Sequence, residues 1–240
     1  MDAIGFDTIA ALKGEGELRL SPERTALFVI DMQRYFVEPD HPFGQTWGKV
    51  VPGDGAAYFE RVGGTVIPNV QALLSRCREV GIPIYFTAFG SLRDDGRDLP
   101  GWARQHNLLS QRMIGRPMYP SCSDPSWQVH DSLRPAPGEQ VIAKTTSGPL
   151  NSTKLDQTLH LLGVDTLVVT GVATNACVTQ TAREFADRGF TVVVPEDACA
   201  TLGEERHRSA LETFAFVFGR VSSTSSVLNA LHADASGTAA

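Results

Sequence analysis

The chain has 240 residues, of which 42% are hydrophobic and 20% charged, and its formal net charge is −6. No apolar run approaches the roughly 18 residues that a membrane span needs, so we expect a soluble protein without a membrane partner. The 21 basic and 27 acidic side chains are scattered along the sequence. This disfavours a nucleic-acid partner, which would require a concentrated basic surface.

The two ends of the chain differ in character from its middle. Residues 1–20 contain early acidic side chains and no basic start or apolar centre, which predicts no export signal and a cytoplasmic protein. We expect an amphipathic lead-in helix there. Residues 233–240 are small and polar, and we expect a disordered tail. The length suits one domain, so we predict a single domain over 1–240.

Five apolar runs rich in β-branched residues predict buried parallel strands. They cover residues 25–31, 83–89, 140–144, 166–172 and 190–196, and a short sixth strand is predicted at 219–222. Parallel strands need crossover connections with helices on both faces of the sheet. We therefore predict a three-layer αβα, Rossmann-like domain with a six-stranded, mostly parallel sheet and its ligand chemistry at the carboxyl ends of the strands.

Apolar residues at helical spacing predict four helices between these strands, starting near residues 66, 152, 175 and 207. In the second of them, Ser152 is the predicted N-cap and Gly163 the C-terminal stop. The segment 90–138 is too long for a plain connection. It contains a predicted helix near 102–114, and we expect it to form a lid or a subunit contact.

Cys177 lies six residues after a glycine that ends a predicted strand, in the first turn of a predicted helix. Free backbone N–H groups and the helix dipole favour a thiolate at such a place, and they can also hold an oxyanion. The alternative is a small buried side chain, which is common for a free cysteine. The spacing of Cys77, Cys122 and Cys199 predicts neither a metal cluster nor a disulfide framework.

Asp31 and Lys144 each end a predicted strand, so they belong at the same edge of the sheet as Cys177. Taken singly, Asp31 is typical of a capping residue and Lys144 of a strand-end lysine with its charge in water. Taken together, the three side chains form a chemical set. The carboxylate can accept the thiol proton and pass it to a leaving amine, while the ammonium keeps both anions charged.

Three blocks of the sequence resemble the isochorismatase-like cysteine hydrolase superfamily: VIDMQRYF (29–36), VIAKTTSGPLNSTKL (141–155) and TGVATNACVTQTAREFADRGFTVVVPEDACAT (170–201). The resemblance extends over nearly the full length and implies the isochorismatase-like fold. It also implies a triad of Asp31 as base, Lys144 as charge partner and Cys177 as nucleophile. A cis peptide between Val172 and Ala173 is implied as well, so that the N–H groups of Ala173 and Cys177 form an oxyanion hole.

Within that superfamily the chain is most similar to the N-carbamoylsarcosine, ureidoacrylate and biuret amidohydrolase-like branch. Nicotinamidases carry zinc-binding histidines in the region that reads FTAFGSLRDDGRD here, without histidine. We therefore expect no metal and no cofactor. The carbamoylsarcosine branch places an arginine for a substrate carboxylate where Leu202 stands, which disfavours a carboxylate-bearing substrate unless Arg34 or Arg206 substitutes.

The predicted function is a metal-independent cysteine amidohydrolase that cleaves a C–N bond of a small amide or of a ureido or carbamoyl compound through a thioester, with release of ammonia. The alternatives are hydrolysis of an ester or imide by the same triad, and a non-catalytic binding protein of the same fold. The resemblance also suggests a homodimer or homotetramer.

Four side chains are candidates for contact with the substrate. Phe36, Phe43 and Trp47 belong to the segment after the first strand, and packing of that segment is an equally good explanation for them. Asn175 is either a helix N-cap or a substrate contact.

Overall fold

The computed structural model describes residues 5–233 and contains a seven-stranded sheet in which every named strand pairing is parallel. The strands are β1 (Thr25–Ile30), β2 (Ile84–Phe89), β3 (Gln140–Lys144), β4 (Thr166–Val172), β5 (Thr191–Pro195), β6 (Cys199–Ala200) and β7 (Arg220–Ser222). Six strands form the order β3-β2-β1-β4-β5-β7, and the two-residue β6 extends the pairing of β4. The predicted α/β fold is confirmed, with β6 as an unpredicted addition.

Ten α-helices occur in the described part of the chain. They are α1 (Phe6–Leu12), α2 (Arg34–Val37), α3 (Pro42–Val50), α4 (Pro52–Arg61), α5 (Ile67–Val80), α6 (Gly101–Ile114), α7 (Leu155–Leu161), α8 (Thr179–Ala186), α9 (Glu204–Val217) and α10 (Thr224–Ala233). Two π-helical turns, Val62–Val66 and Thr174–Val178, lead directly into α5 and α8. Within residues 5–233, none of the helices has the length and apolar character required to span a bilayer.

Alternate residues of β1 enter two separate hydrophobic cores, which is why helices cover both faces of the sheet. Leu27 and Val29 pack in a core that contains residues of α4, α5 and α10. Ala26, Phe28 and Ile30 pack in a second core that contains residues of α1, α7, α8 and α9. The domain therefore has three layers, as predicted.

The order of the strands reverses between β1 and β4, which are direct neighbours in the sheet. Gly171 pairs with Ile30 in this register, and its φ of 113° lies in the region that favours glycine. A Cβ on Gly171 would overlap the carbonyl oxygen of Ile30. Glycine is therefore required for the ends of β1 and β4 to approach so closely.

Several expectations about the helices were wrong. The N-cap of α7 is Lys154 and not Ser152. Helices α2, α3, α4 and α10 were not predicted. In α3 and α4, glycines at positions 44, 48, 53 and 55 obscure the helical pattern, and packing of Phe43 and Tyr58 in the core compensates for their poor helix propensity.

The predictions for the two ends fall partly outside the described residues. The lead-in helix expected over 1–20 is the shorter α1, and residues 1–4 lie outside the described range. The tail expected at 233–240 begins at Ala233, the last residue of α10, and its remaining residues lie outside the described range.

Candidate active site

Asp31 follows β1 directly, and its side chain has no exposure to solvent. Its backbone φ of 50° is positive, which is uncommon for a residue other than glycine. The Thr87 hydroxyl donates to Asp31 Oδ1 at 2.6 Å, and Lys144 Nζ donates to Asp31 Oδ2 at 2.8 Å. Both carboxylate oxygens are therefore paired inside the protein, as a buried carboxylate requires.

Lys144 is the last residue of β3, and it is buried as completely as Asp31. In addition to Asp31, its ammonium donates to the carbonyl oxygen of Thr146 at 3.1 Å and lies 5.0 Å from the centroid of the Phe89 ring. Burial alone would lower the pKa of Lys144, but Asp31 and Cys177 outweigh it, so the pKa is raised. Lys144 is therefore a permanently charged partner of the site.

Cys177 is the fourth residue of the helical turn Thr174–Val178, which begins immediately after β4. The peptide bond between Val172 and Ala173 is cis. The carbonyl oxygen of Ala173 accepts hydrogen bonds from the N–H groups of Ala176 and Val178 at 3.0 and 3.2 Å, but not from the N–H of Cys177. The charges of Asp31 and Lys144 both act on the Cys177 thiol, so the three predicted catalytic side chains lie together.

Burial has the largest effect on the acidity of the Cys177 thiol. Burial raises its pKa to about 12; the charge of Asp31 adds to this effect and the charge of Lys144 opposes it. This effect of burial opposes the effect of the position at a helix start, which favours a thiolate. A neutral thiol needs a base at the moment of attack, and the adjacent carboxylate of Asp31 is in place to act as one.

Two further buried polar residues support the site, and neither is singled out by the sequence. Thr87 lies in β2 opposite Ile30 and donates to Asp31. The Gln33 side chain accepts from the Phe89 N–H at 2.8 Å and donates to the carbonyl oxygens of Phe89 and Trp127 at 3.0 and 2.7 Å. Their signal in the sequence is a polar residue inside or just after an apolar run.

A further hydrogen-bonded chain fixes the start of the helical turn that carries Cys177. His207 Nδ1 lies 2.9 Å from the Thr174 hydroxyl, and His207 Nε2 lies 3.0 Å from the guanidinium of Arg61. Burial, together with the charge of Arg61, lowers the pKa of His207 to about 4. Because Arg61 can only donate, His207 Nε2 accepts, and the proton on Nδ1 is directed at Thr174.

Cys177 opens into a cavity of about 630 Å³, whereas Asp31 and Lys144 lie behind it without contact to solvent. All four predicted substrate contacts line this cavity: Phe36, Phe43, Trp47 and Asn175. Ala173, which forms the predicted oxyanion hole together with Cys177, lines the cavity as well. Val172, the other residue of the cis peptide, is fully buried in β4. The long segment 90–138 contributes Trp102 and His106 from α6, and Tyr119, so it covers the site of its own chain.

Asn175 is not a helix N-cap, because the N-cap position is occupied by Ala173. The Thr201 hydroxyl donates to Asn175 Oδ1 at 2.6 Å, which fixes the orientation of the amide at the cavity. Of the two arginines considered for a carboxylate, Arg206 lines the cavity near Leu202, whereas Arg34 is paired with Asp131 at 2.6 Å and is not among the lining residues. Within residues 5–233, no cluster of three His, Cys, Asp or Glu side chains is arranged to hold a metal ion.

The sequence model of the Isochorismatase domain matches residues 25–226. The ureidoacrylate amidohydrolase RutB of Methylobacterium radiotolerans is 30% identical over an alignment of 227 residues, and the match covers 89% of this chain and 82% of that protein. The N-carbamoylsarcosine amidase of Arthrobacter sp is 29% identical over 211 residues, 88% of this chain and 72% of that protein. Among solved structures, a cysteine hydrolase from Pseudomonas syringae pv. phaseolicola 1448A has a TM-score of 0.73 at 25% identity, and the match covers 90% of this chain and 96% of that one.

Proposed function

Because the chain belongs to the isochorismatase family, we propose that it is a metal-independent cysteine hydrolase that cleaves a C–N bond of a small amide or of a ureido or carbamoyl compound. The family resemblance read from the sequence is confirmed. One observation carries the proposal: a cysteine that opens into a cavity is backed by a buried carboxylate and a buried ammonium 2.8 Å apart. The amidase names of two relatives support the choice of a C–N bond.

In the first half of the proposed reaction, the sulfur of Cys177 attacks the substrate carbonyl carbon while its proton passes to Asp31. The thiol needs this transfer because burial keeps its pKa at about 12. The carbonyl oxygen becomes an oxyanion, which the N–H groups of Ala173 and Cys177 stabilise. Asp31 then gives its proton to the departing nitrogen, the C–N bond breaks, and ammonia leaves a thioester on Cys177.

In the second half, a water molecule attacks the thioester carbonyl and Asp31 accepts the proton of that water. The C–S bond breaks and the proton returns to the sulfur, which restores the neutral thiol. The product is a carboxylic acid from an amide or a carbamate from a ureido compound. Lys144 remains charged throughout, so it favours the ionised form of Asp31 each time the carboxylate must act as a base.

The proposal is tested by ammonia release from a panel of primary amides, ureido acids, biuret-like compounds and nicotinamide. Wild-type protein, Cys177→Ala, and wild-type protein with a chelator are measured side by side, and Cys77→Ala is the matched control because Cys77 is a buried cysteine in α5, remote from the cavity. We expect release that survives the chelator and the control substitution but is lost in Cys177→Ala. A thioester mass on Cys177, trapped by acid quench, would support the intermediate directly.

The outcomes separate the alternatives. Release by Cys177→Ala would refute the nucleophile, and release that needs a metal would refute the metal-independent mechanism. Turnover of esters or imides without turnover of amides would favour the other scissile bonds. Binding without turnover of any compound would favour a non-catalytic protein. Self-association as a dimer or tetramer and a cytoplasmic location remain predictions, the first of which light scattering checks.

A further inference from the structure

Six aromatic side chains form a closed circuit of ring contacts in the cavity in front of Cys177, and each ring centroid lies within 6.5 Å of the next. The circuit runs Phe36, Phe43, Trp47, His106, Trp102, Phe89 and back to Phe36. Tyr119 touches four of these rings and also lines the cavity. The aromatic lining is therefore continuous, although its residues come from segments that are far apart in the sequence.

The rim of this lining is open to solvent, which distinguishes it from ordinary core packing. Trp102 is 39% exposed although its ring stacks on Phe89 with centroids 5.5 Å apart. Trp47 and His106 are half-buried beside it. Exposed aromatic surface in a concave site of this size is characteristic of a ligand-binding wall.

The wall carries no ionic charge that faces a ligand. His106 Nδ1 lies 2.8 Å from the Tyr119 hydroxyl, and partial burial lowers the pKa of His106, so its imidazole is neutral near pH 7. The charge of Lys144, which lies 5.0 Å from the Phe89 centroid, is bound to Asp31 and fully buried. An anionic substrate group against these rings would lose its hydration without gaining a partner.

The arginines that line the cavity in the described residues are Arg183 and Arg206; the buried Nε of Arg183 has no hydrogen-bond partner, whereas Arg206 is paired. Arg206 Nη1 donates to Asp54 Oδ2 at 2.9 Å and to the carbonyl oxygen of Leu202 at 3.0 Å. The guanidinium of Arg183 lies 5.1 Å from the centroid of Phe218. Leu202, itself a lining residue, presents an apolar side chain.

We propose that the substrate carries an aromatic group on the side remote from the scissile carbonyl, and that Trp47, Trp102 and His106 select it. An offset-stacked or edge-on aromatic ring is the ligand group that such a wall holds best. This rests on the proposed function and makes it more specific: the substrates are aryl-substituted amides or ureas rather than small ureido acids.

The first test compares kcat/KM for four amides and one ureido acid. Phenylacetamide is the probe, cyclohexylacetamide has the same size without aromaticity, acetamide lacks the group, and N-carbamoylglycine and betaine amide carry a negative and a positive charge. We expect kcat/KM for phenylacetamide to be about 100-fold higher than for acetamide, because more apolar area is buried. It should be about fivefold higher than for cyclohexylacetamide, because only the phenyl group makes aromatic ring contacts. A preference for either charged compound, or equal rates for the phenyl and cyclohexyl amides, would overturn the proposal.

The second test changes the wall. Trp102→Leu should lower the phenylacetamide-to-acetamide ratio of kcat/KM by about tenfold, chiefly through KM, because an aromatic contact is lost. Trp102→Phe should restore most of the ratio. Leu108→Ala is the matched control: Leu108 lies on the same helix, is 57% exposed and does not line the cavity, so the ratio should not change. An unchanged ratio in Trp102→Leu would contradict the assignment.

A binding measurement separates this inference from the proposed function. Phenylacetamide is titrated into Cys177→Ala, in which no cleavage can occur, and followed by calorimetry. Saturable binding that Trp102→Leu weakens supports the aromatic wall even if the wild type cleaves no amide at all. Amide cleavage by the wild type, together with no binding of phenylacetamide or tighter binding of N-carbamoylglycine, would overturn the inference and leave the proposed function intact.

Discussion

Lys144 Nζ lies 2.8 Å from Asp31 Oδ2, and neither side chain is exposed to solvent. The two residues end strands β3 and β1, which are separated by β2, so the pair joins the sheet across three strands. A buried pair of this kind depends on both partners, because removal of one leaves a charge that water cannot reach.

The first prediction concerns this ion pair. Lys144→Met should lower the free energy of unfolding by about 3–5 kcal/mol, because it leaves the Asp31 carboxylate buried without its ammonium. Urea denaturation measures the change. Arg208→Ala, which removes an exposed pair with Glu212 on α9, is the control and should cost less than about 1 kcal/mol. The double variant Asp31→Asn with Lys144→Met should recover part of the lost stability. A loss in Lys144→Met no larger than that in Arg208→Ala would contradict the prediction.

The second prediction concerns the protonation of the nucleophile. Alkylation of Cys177 by iodoacetamide should be slow near pH 7 and should rise steadily with pH, because burial keeps its pKa at about 12. Peptide mass spectrometry follows the reaction in a Cys122→Ala background, since Cys122 is exposed and would react as well. A rate that reaches a plateau below pH 8 would contradict this prediction. It would mean that the charge of Lys144 has the larger effect on the thiol pKa and that the thiol is already ionised.

The third prediction concerns Thr87, whose hydroxyl donates to Asp31 Oδ1 at 2.6 Å. Thr87→Val has nearly the same shape but leaves that oxygen without its donor, so we expect kcat to fall by about tenfold or more, with a stability loss of about 1–3 kcal/mol. Thr87→Ser should retain most activity. The matched control is Thr170→Val, which removes from β4 a buried hydroxyl that donates to the Ala198 carbonyl. An equal loss of kcat in both valine variants would contradict this role of Thr87, because it would show that removal of any buried hydroxyl from the sheet lowers kcat.

The fourth prediction concerns His207 and acid stability. Its pKa is lowered from 6.5 to about 4 in the folded protein, so between these values the unfolded chain binds a proton that the folded chain does not. Stability from this group is therefore present above pH 6.5 and is lost as the pH falls to 4, by about 3 kcal/mol in total. His207→Gln removes the titration, so urea unfolding at several pH values should give a flatter curve for the variant over this window. Parallel curves would contradict the assignment.

The sequence by itself determined the strands and the three residues that carry the proposed chemistry. Runs of buried β-branched residues allow few alternatives to parallel strands in a sheet that is covered on both faces. Asp31 and Lys144 are conspicuous because each follows such a run, where a charged side chain must either reach the edge of the sheet or find a partner. The same reasoning could not detect Thr87, since a threonine inside a strand is ordinary by composition.

The tertiary structure decided the burial of Cys177 and the walls of the cavity. Position at a helix start favours a thiolate, but burial beside Asp31 has the larger effect, and burial depends on the whole fold. Trp47 and Trp102 are 55 positions apart and come from α3 and α6, and their contacts with His106 exist only because both helices fold over the carboxyl ends of the strands. Such contacts arise from packing between distant segments, which local residue patterns do not encode.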